Sequence, residues 1–219
     1  MSRPLDRMLR DIRACRICEA HLPLGPNPVL RASATARLLV VGQAPGTKVH
    51  ATGIPWNDAS GQRLRQWLGL DADRVYDERH VAIVPMGFCY PGRGPSGDLP
   101  PRPECRATWH PQLLPLLPQI RLTVLVGQYA QGYFLGSRRK ATLTETVRAW
   151  REYLPAHLPL PHPSPRNVGW FQHNPWFEAE VLPALRAQVA AVRAGHDAGG
   201  GAACDGGGGA GRCQGETLC

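Results

Sequence analysis

The chain has 219 residues, 43% of them hydrophobic and 19% charged, values of a globular protein with room for one α/β domain and a full core. No apolar run approaches the roughly 18 residues of a membrane span, and the N-terminal stretch lacks the apolar centre of a signal peptide. A membrane protein is therefore not expected, and a cytoplasmic monomer is. The net charge is +8; from Gly195 onward Asp197, Asp205 and Glu216 outweigh Arg212 by two, so the body carries +10, a balance that suits a polyanionic partner.

In chain order, Leu5, Met8, Leu9 and Ile12 fall at helical spacing. Cys15-x-x-Cys18 and a Pro-rich linker follow. Arg37–Gln43 reads as a first strand, whose apolar run is of the kind buried in parallel sheets. It stops at Gly42-Gln43-Ala44-Pro45-Gly46, a turn cluster foreign to strand and helix interiors. A second turn, Gly53-Ile54-Pro55-Trp56, precedes Ser60, read as the N-cap of a helix over Gln62–Leu70. This connection is a loop of about 15 residues where 2–6 is usual. It lies at the carboxyl end of a strand, where open α/β sheets bind ligands.

Val81–Val84 is a second strand, running into Cys89 and a Pro- and Gly-rich loop over Tyr90–Glu104. A helix carrying Trp109, Leu113, Leu114 and Leu117 follows, shortened or kinked by Pro111 and Pro115. Leu122–Val126 is a third strand and Gln128–Leu135 a helix. Thr144–Tyr153 is another helix, and Leu158–Pro161 a fourth strand ending at His162-Pro163-Ser164-Pro165-Arg166-Asn167. Asn174-Pro175 is an N-cap and N1 pair for a last helix reaching about Arg193. The alternation predicts a single α/β domain over residues 1–194, a four-stranded parallel sheet flanked by helices. Residues 195–219 include ten glycines and are expected to be a disordered tail.

Three constellations carry chemistry. Of seven cysteines, Cys204, Cys213 and Cys219 lie in the tail. Cys15, Cys18, Cys89 and Cys105 come from separate loops, and four thiolates of that kind suit a tetrahedral zinc or a cubane cluster alike. His162 is presented rigidly at a strand end by two prolines that hold the backbone extended, with Ser164, Arg166 and Asn167 close by for phosphate contacts. Trp56 is an aromatic among turn residues, available to stack on a flat ligand.

Taken together, these stretches resemble the uracil-DNA glycosylase superfamily, and its iron–sulfur branch in particular, over about residues 10–190. Gly42-Gln43-Ala44-Pro45-Gly46 is similar to the first motif of the superfamily, written GEAPG in that branch and GQDPY elsewhere. Gly53-Ile54-Pro55-Trp56 falls where the branch has G-x-P-F, and Cys15, Cys18, Cys89 and Cys105 match its cluster ligands in order and spacing. The HPSPRN of His162–Asn167 is similar to the second motif of the single-strand-selective monofunctional branch. The resemblance implies a DNA repair enzyme that flips a damaged base out of the stack and hydrolyses its N-glycosidic bond. It implies Trp56 as the base-stacking wall, with Gly42, Gln43, Ala44, Pro45 and Gly46 around the base and His162 as a donor to the leaving group. Arg166 would fill the gap left in the duplex, with Ser60, Arg63, Ser164 and Asn167 at the DNA backbone, and a [4Fe–4S] cluster is favoured over zinc.

Three positions depart from the pattern. Ala44 stands where GQDPY carries the water-orienting Asp, which leaves His50 and Asp58 as substitutes. Val84-Pro85-Met86-Gly87 stands where a uracil-reading Asn is expected. Gln43 replaces the branch's Glu. These departures motivate the alternative of a non-catalytic DNA-binding module with the same fold.

Overall fold

The structure is a computed structural model that describes residues 3–95 and 97–199. Leu5, Leu9 and Ile12 make one buried stripe of helix α1 (Arg3–Arg13), as their spacing requires. Strand β1 (Leu38–Val41) is buried along its whole length. The stretch after it, read as one long loop, contains a short helix, α2 (Thr47–Thr52), bounded by Gly46 and by Gly53 in the left-handed region (φ 67°), a glycine helix stop. Helix α3 (Ala59–Leu68) starts earlier than expected. Its N-cap is Asp58, whose Oδ1 accepts from the Gly61 N–H at 2.7 Å, and not Ser60, which lies in the first turn. Either residue type can cap; the extended backbone at Asp58, which follows the left-handed Trp56, puts the cap there. Helix α4 (Ala72–Tyr76) leads to strand β2 (Val81–Ile83).

The expected Tyr90–Glu104 loop holds a small antiparallel hairpin, β3 (Arg93–Gly94) with β4 (Gly97–Asp98). Proline breaks the next helical stretch into α5 (Pro103–Thr108), α6 (His110–Leu113) and a 3₁₀ turn over Leu114–Leu116. Strand β5 (Leu122–Val126) and helix α7 (Gln128–Leu135) have the expected limits. Helix α8 (Leu143–Arg148) opens on a Thr142–Glu145 capping box, and strand β6 (His157–Leu160) follows. The sequence reading misses helix α9 (Val168–His173). Asn174 closes α9, its Nδ2 donating to the Trp170 carbonyl and its Oδ1 accepting from Trp176 Nε1, and it also opens the last helical stretch as expected, its carbonyl accepting from the Phe177 N–H at 3.0 Å. A π-helical turn, Phe177–Val181, leads into α10 (Leu182–Gly199), which runs past Arg193. The stretch expected to be a disordered tail from Gly195 begins inside α10, which reaches Gly199, a correction to that expectation; the rest, from 200 on, lies outside the described residues.

The main sheet has the order β2-β1-β5-β6, all parallel. Alternate residues of β1 feed two cores. Leu38 and Val40 pack with Trp67, Phe177 and Leu185 on one face, and Leu39 and Val41 with Leu5, Phe88 and Leu113 on the other. Both faces are covered by helices, so a continuous apolar run replaces alternation. Chain order reverses at β1, with β2 on one side and β5 on the other. That is the switch point beside which such sheets form a crevice at the carboxyl ends of the strands.

Candidate active site

The loops after β1, β2 and β6 meet at those carboxyl ends around a cavity of about 640 Å³. Gly42–Gly46, Pro55, Trp56, Asp58 and Ser60 line one side, with Pro85, Asp98, His162, Ser164, Arg166 and Asn167 completing it. The first two loops are tied together by the Met86 N–H on the Gly42 carbonyl and the Gly87 N–H on the Gln43 carbonyl, both at 2.9 Å. The N–H groups of Gln43, Ala44 and Gly46 find no protein acceptor among the described residues, which leaves them free to meet a ligand.

Trp56 is held in a conformation that a bulky residue rarely adopts, with φ 56°, and such backbone persists only where its surroundings over-determine it. Its carbonyl accepts from Arg65 Nη1 at 3.2 Å and from the Tyr76 hydroxyl at 3.5 Å. The helix start presses against it so closely that a Cβ on Gly61 would stand 1.7 Å from the Trp56 oxygen. The indole lies over Gly42, where a Cβ would meet its Cζ2 at 2.6 Å. Its ring centroid is 5.7 Å from that of His162, with the planes 36° apart.

His162 sits on a loop braced at three points. Asn167 Nδ2 donates to the His162 carbonyl at 2.8 Å, Arg63 Nη1 donates to the Ser164 carbonyl at 3.2 Å, and the Arg166 N–H donates to Ser164 Oγ. Burial pulls the His162 pKa below its ordinary value, against the opposing pull of the Asp58 and Asp98 carboxylates. The imidazole is therefore neutral at pH 7 and presents one N–H and one lone pair. A neutral donor beside an aromatic wall can take up charge developing on a departing ring.

The structure brings together most of the residues singled out from sequence. His50 is not among them: it does not line the cavity, and its ring meets the edge of Tyr90 at 6.4 Å. Arg63 braces the second motif and lies over the Phe171 ring at 5.4 Å, so it acts behind the cavity wall. Ser60 lines the cavity without capping the helix. Gln43 Nε2 donates to the Leu99 carbonyl at 2.9 Å. A Glu at 43 would set acceptor against acceptor there, which accounts for the amide in this chain. Asp98 is the residue that sequence reading missed. Strands of two residues are too short to show alternation, and its only trace was the turn-rich run Pro91–Gly97.

Cys15, Cys18, Cys89 and Cys105 line a second, drier cavity with Leu22, Phe88 and Arg102, and all four are free thiols. Burial, reinforced by the neighbouring cysteines, pushes Cys89 up to about 11 and Cys105 to about 12. Burial and the Glu104 carboxylate raise Cys18. Four sulfurs in an apolar cradle ionise at neutral pH only with a cation among them, so the donor set fits a thiolate-ligated metal group. As they stand, no three His, Cys, Asp or Glu side chains among the described residues are gathered for a metal ion; the four thiols share one cavity wall instead.

A parallel sheet with a cavity at its switch point, walled by an aromatic and a histidine, defines an open α/β protein with a ligand site in the usual place. A sequence model of the Uracil DNA glycosylase superfamily matches residues 31–186, and the chain belongs to that superfamily. Its members are DNA glycosylases, so the chain is assigned a glycosylase-type function on DNA. No helix among the described residues is long and apolar enough to cross a membrane.

Proposed function

We propose that this chain is a monofunctional DNA glycosylase that hydrolyses the N-glycosidic bond of uracil or another deaminated base flipped into the Trp56–His162 cavity. The observation that carries this reading is the placement of the Trp56 ring over Gly42 and beside His162 in a cavity of about 640 Å³. The indole stacks on the flipped base, and the His162 N–H and the free N–H groups of Gln43 and Ala44 receive its developing negative charge. Among the described residues no lysine lines the cavity to act as an amine nucleophile, which favours direct hydrolysis over lyase chemistry. Pro85 and Met86 offer no side-chain amide to read a pyrimidine edge, so the base selected is set by shape and by these donors.

Cys15, Cys18, Cys89 and Cys105 would hold a [4Fe–4S] cluster. When bound it would offset the charge of the four thiolates, two of them buried, and join the N-terminal segment to the start of α5. The resemblance to the iron–sulfur branch favours it over zinc, and no cysteine among the described residues lines the base cavity, which supports a structural role.

Base release is to be measured on single- and double-stranded oligonucleotides carrying uracil, hypoxanthine or xanthine. Release of at least one base is expected, and none from any substrate, with DNA binding retained, would favour a non-catalytic binding module. His162→Ala removes a donor to the leaving group, costing about 3 kcal/mol in the transition state. Trp56→Ala removes stacking of about 1–3 kcal/mol. Both should retain DNA affinity.

A further inference from the structure

We propose that Asp98 supplies the carboxylate that orients and deprotonates the attacking water, an assignment resting on the glycosylase reading above. The first-motif turn has no acid of its own, because Ala44 stands in it. A carboxylate reaches the same place from another part of the chain. Asp98 lines the cavity, and its Oδ2 lies 3.6 Å from the point where a Cβ on Gly46 would stand. Gly46 has no side chain, and the carboxylate takes the room beside it.

The hairpin that carries Asp98 is fixed to both motifs. Gln43 Nε2 donates to the Leu99 carbonyl at 2.9 Å, and the Leu99 N–H donates to the Gly92 carbonyl at 2.9 Å. Arg166 Nη1 lies against Gly97, 2.8 Å from where a Cβ would be. A catalytic group needs placement of this kind, from supports on either side.

The other candidates are engaged elsewhere. Asp58 also lines the cavity, but its Oδ1 accepts from the Gly61 N–H at 2.7 Å and starts α3. His50 faces Tyr90 outside the cavity. The Asp98 carboxylate has no hydrogen bond or ion pair among the described residues, and Asp98 is exposed to solvent.

The reaction balances with water alone. The water oxygen bonds to C1′ of the sugar as the C1′–N bond breaks, and the electron pair leaves with the base. Asp98 takes one water proton and later returns it to solvent. The base, held by His162 and the backbone N–H groups, then gains a proton from solvent.

The test is single-turnover base release by wild type, Asp98→Asn, Asp98→Glu and Asp58→Asn, across pH and on the base that wild type releases best. Asp98→Asn should slow release about 10²–10³-fold and bind DNA as tightly as wild type or more so. Asp98→Glu should recover part of the rate. Asp58→Asn, which keeps the helix cap, should lose less rate than Asp98→Asn. The inference is overturned if Asp98→Asn turns over at the wild-type rate, or if it loses rate only in step with DNA affinity. A loss confined to Asp58→Asn overturns it as well. A wild-type protein that releases no base from any substrate refutes the glycosylase reading itself, a result distinguishable from the others because it shows before any variant is made.

Discussion

Gly61→Ala tests the packing that presents Trp56 to the cavity. In an open helix the change stabilises by up to about 1 kcal/mol. Here the added Cβ would stand 1.7 Å from the Trp56 carbonyl oxygen, and contacts below 3.0 Å are not tolerated, so the two must part by at least 1.3 Å (3.0 − 1.7). That movement draws the oxygen from Arg65 Nη1 and the Tyr76 hydroxyl. The two bonds are worth about 1 kcal/mol each, and the overpacking itself costs about 1–3 kcal/mol. Net destabilisation is about 2–4 kcal/mol, which lowers a urea midpoint by about 1–2 M at a slope near 2 kcal/mol/M. Gly169→Ala in α9, with nothing within 4 Å of its Cβ position, is the control and should be neutral or slightly stabilising. Urea titration followed by Trp fluorescence gives stability, and the same samples give base release, which should fall at least tenfold in Gly61→Ala alone. If Gly61→Ala proves as stable and as active as Gly169→Ala, the account of how Trp56 is held is wrong.

Three further outcomes follow from the geometry. Gly42→Ala meets only the indole edge, at 2.6 Å from Cζ2, so the ring should tilt toward His162; base release should fall while the urea midpoint moves less than in Gly61→Ala, and equal activity would refute the stacking floor. Cys105→Ser should lower stability and soluble yield together with iron and sulfide content, and a wild-type protein purified anaerobically with one zinc and no iron would overturn the cluster assignment. His110, wholly buried, stacked on Phe88 and donating from Nε2 to the Pro85 carbonyl, has its pKa lowered by burial. The unfolded chain therefore binds more protons below about pH 6.5, and stability falls as pH drops, by up to about 1.4 kcal/mol per unit from this group; urea midpoints equal at about pH 7.5 and 5.5 would refute its burial as a neutral ring.

What the sequence by itself determined were the features written in neighbouring residues. Leu38–Val41 and Leu122–Val126 are continuous apolar runs, and a strand covered on both faces must read that way. The stripe of Leu5, Leu9 and Ile12, and Gly127 before α7, are signals complete within two turns. The two motifs and the four cysteines were legible as local strings of special residue types. Tertiary structure decided which of those residues face one another. Gln43 meets Leu99 across 56 positions, and Arg63 meets Ser164 across 101; no local pattern encodes such a pairing. The same holds for Asp98, carried to Gly46 by two-residue strands, and for His50, which shares the loop of Trp56 yet points to Tyr90. Asp58 took the cap expected of Ser60 because the left-handed backbone at Trp56 set where α3 begins, and that conformation is imposed by Arg65, Tyr76 and Gly61 packing around a carbonyl, since the intrinsic preference of a tryptophan runs against it.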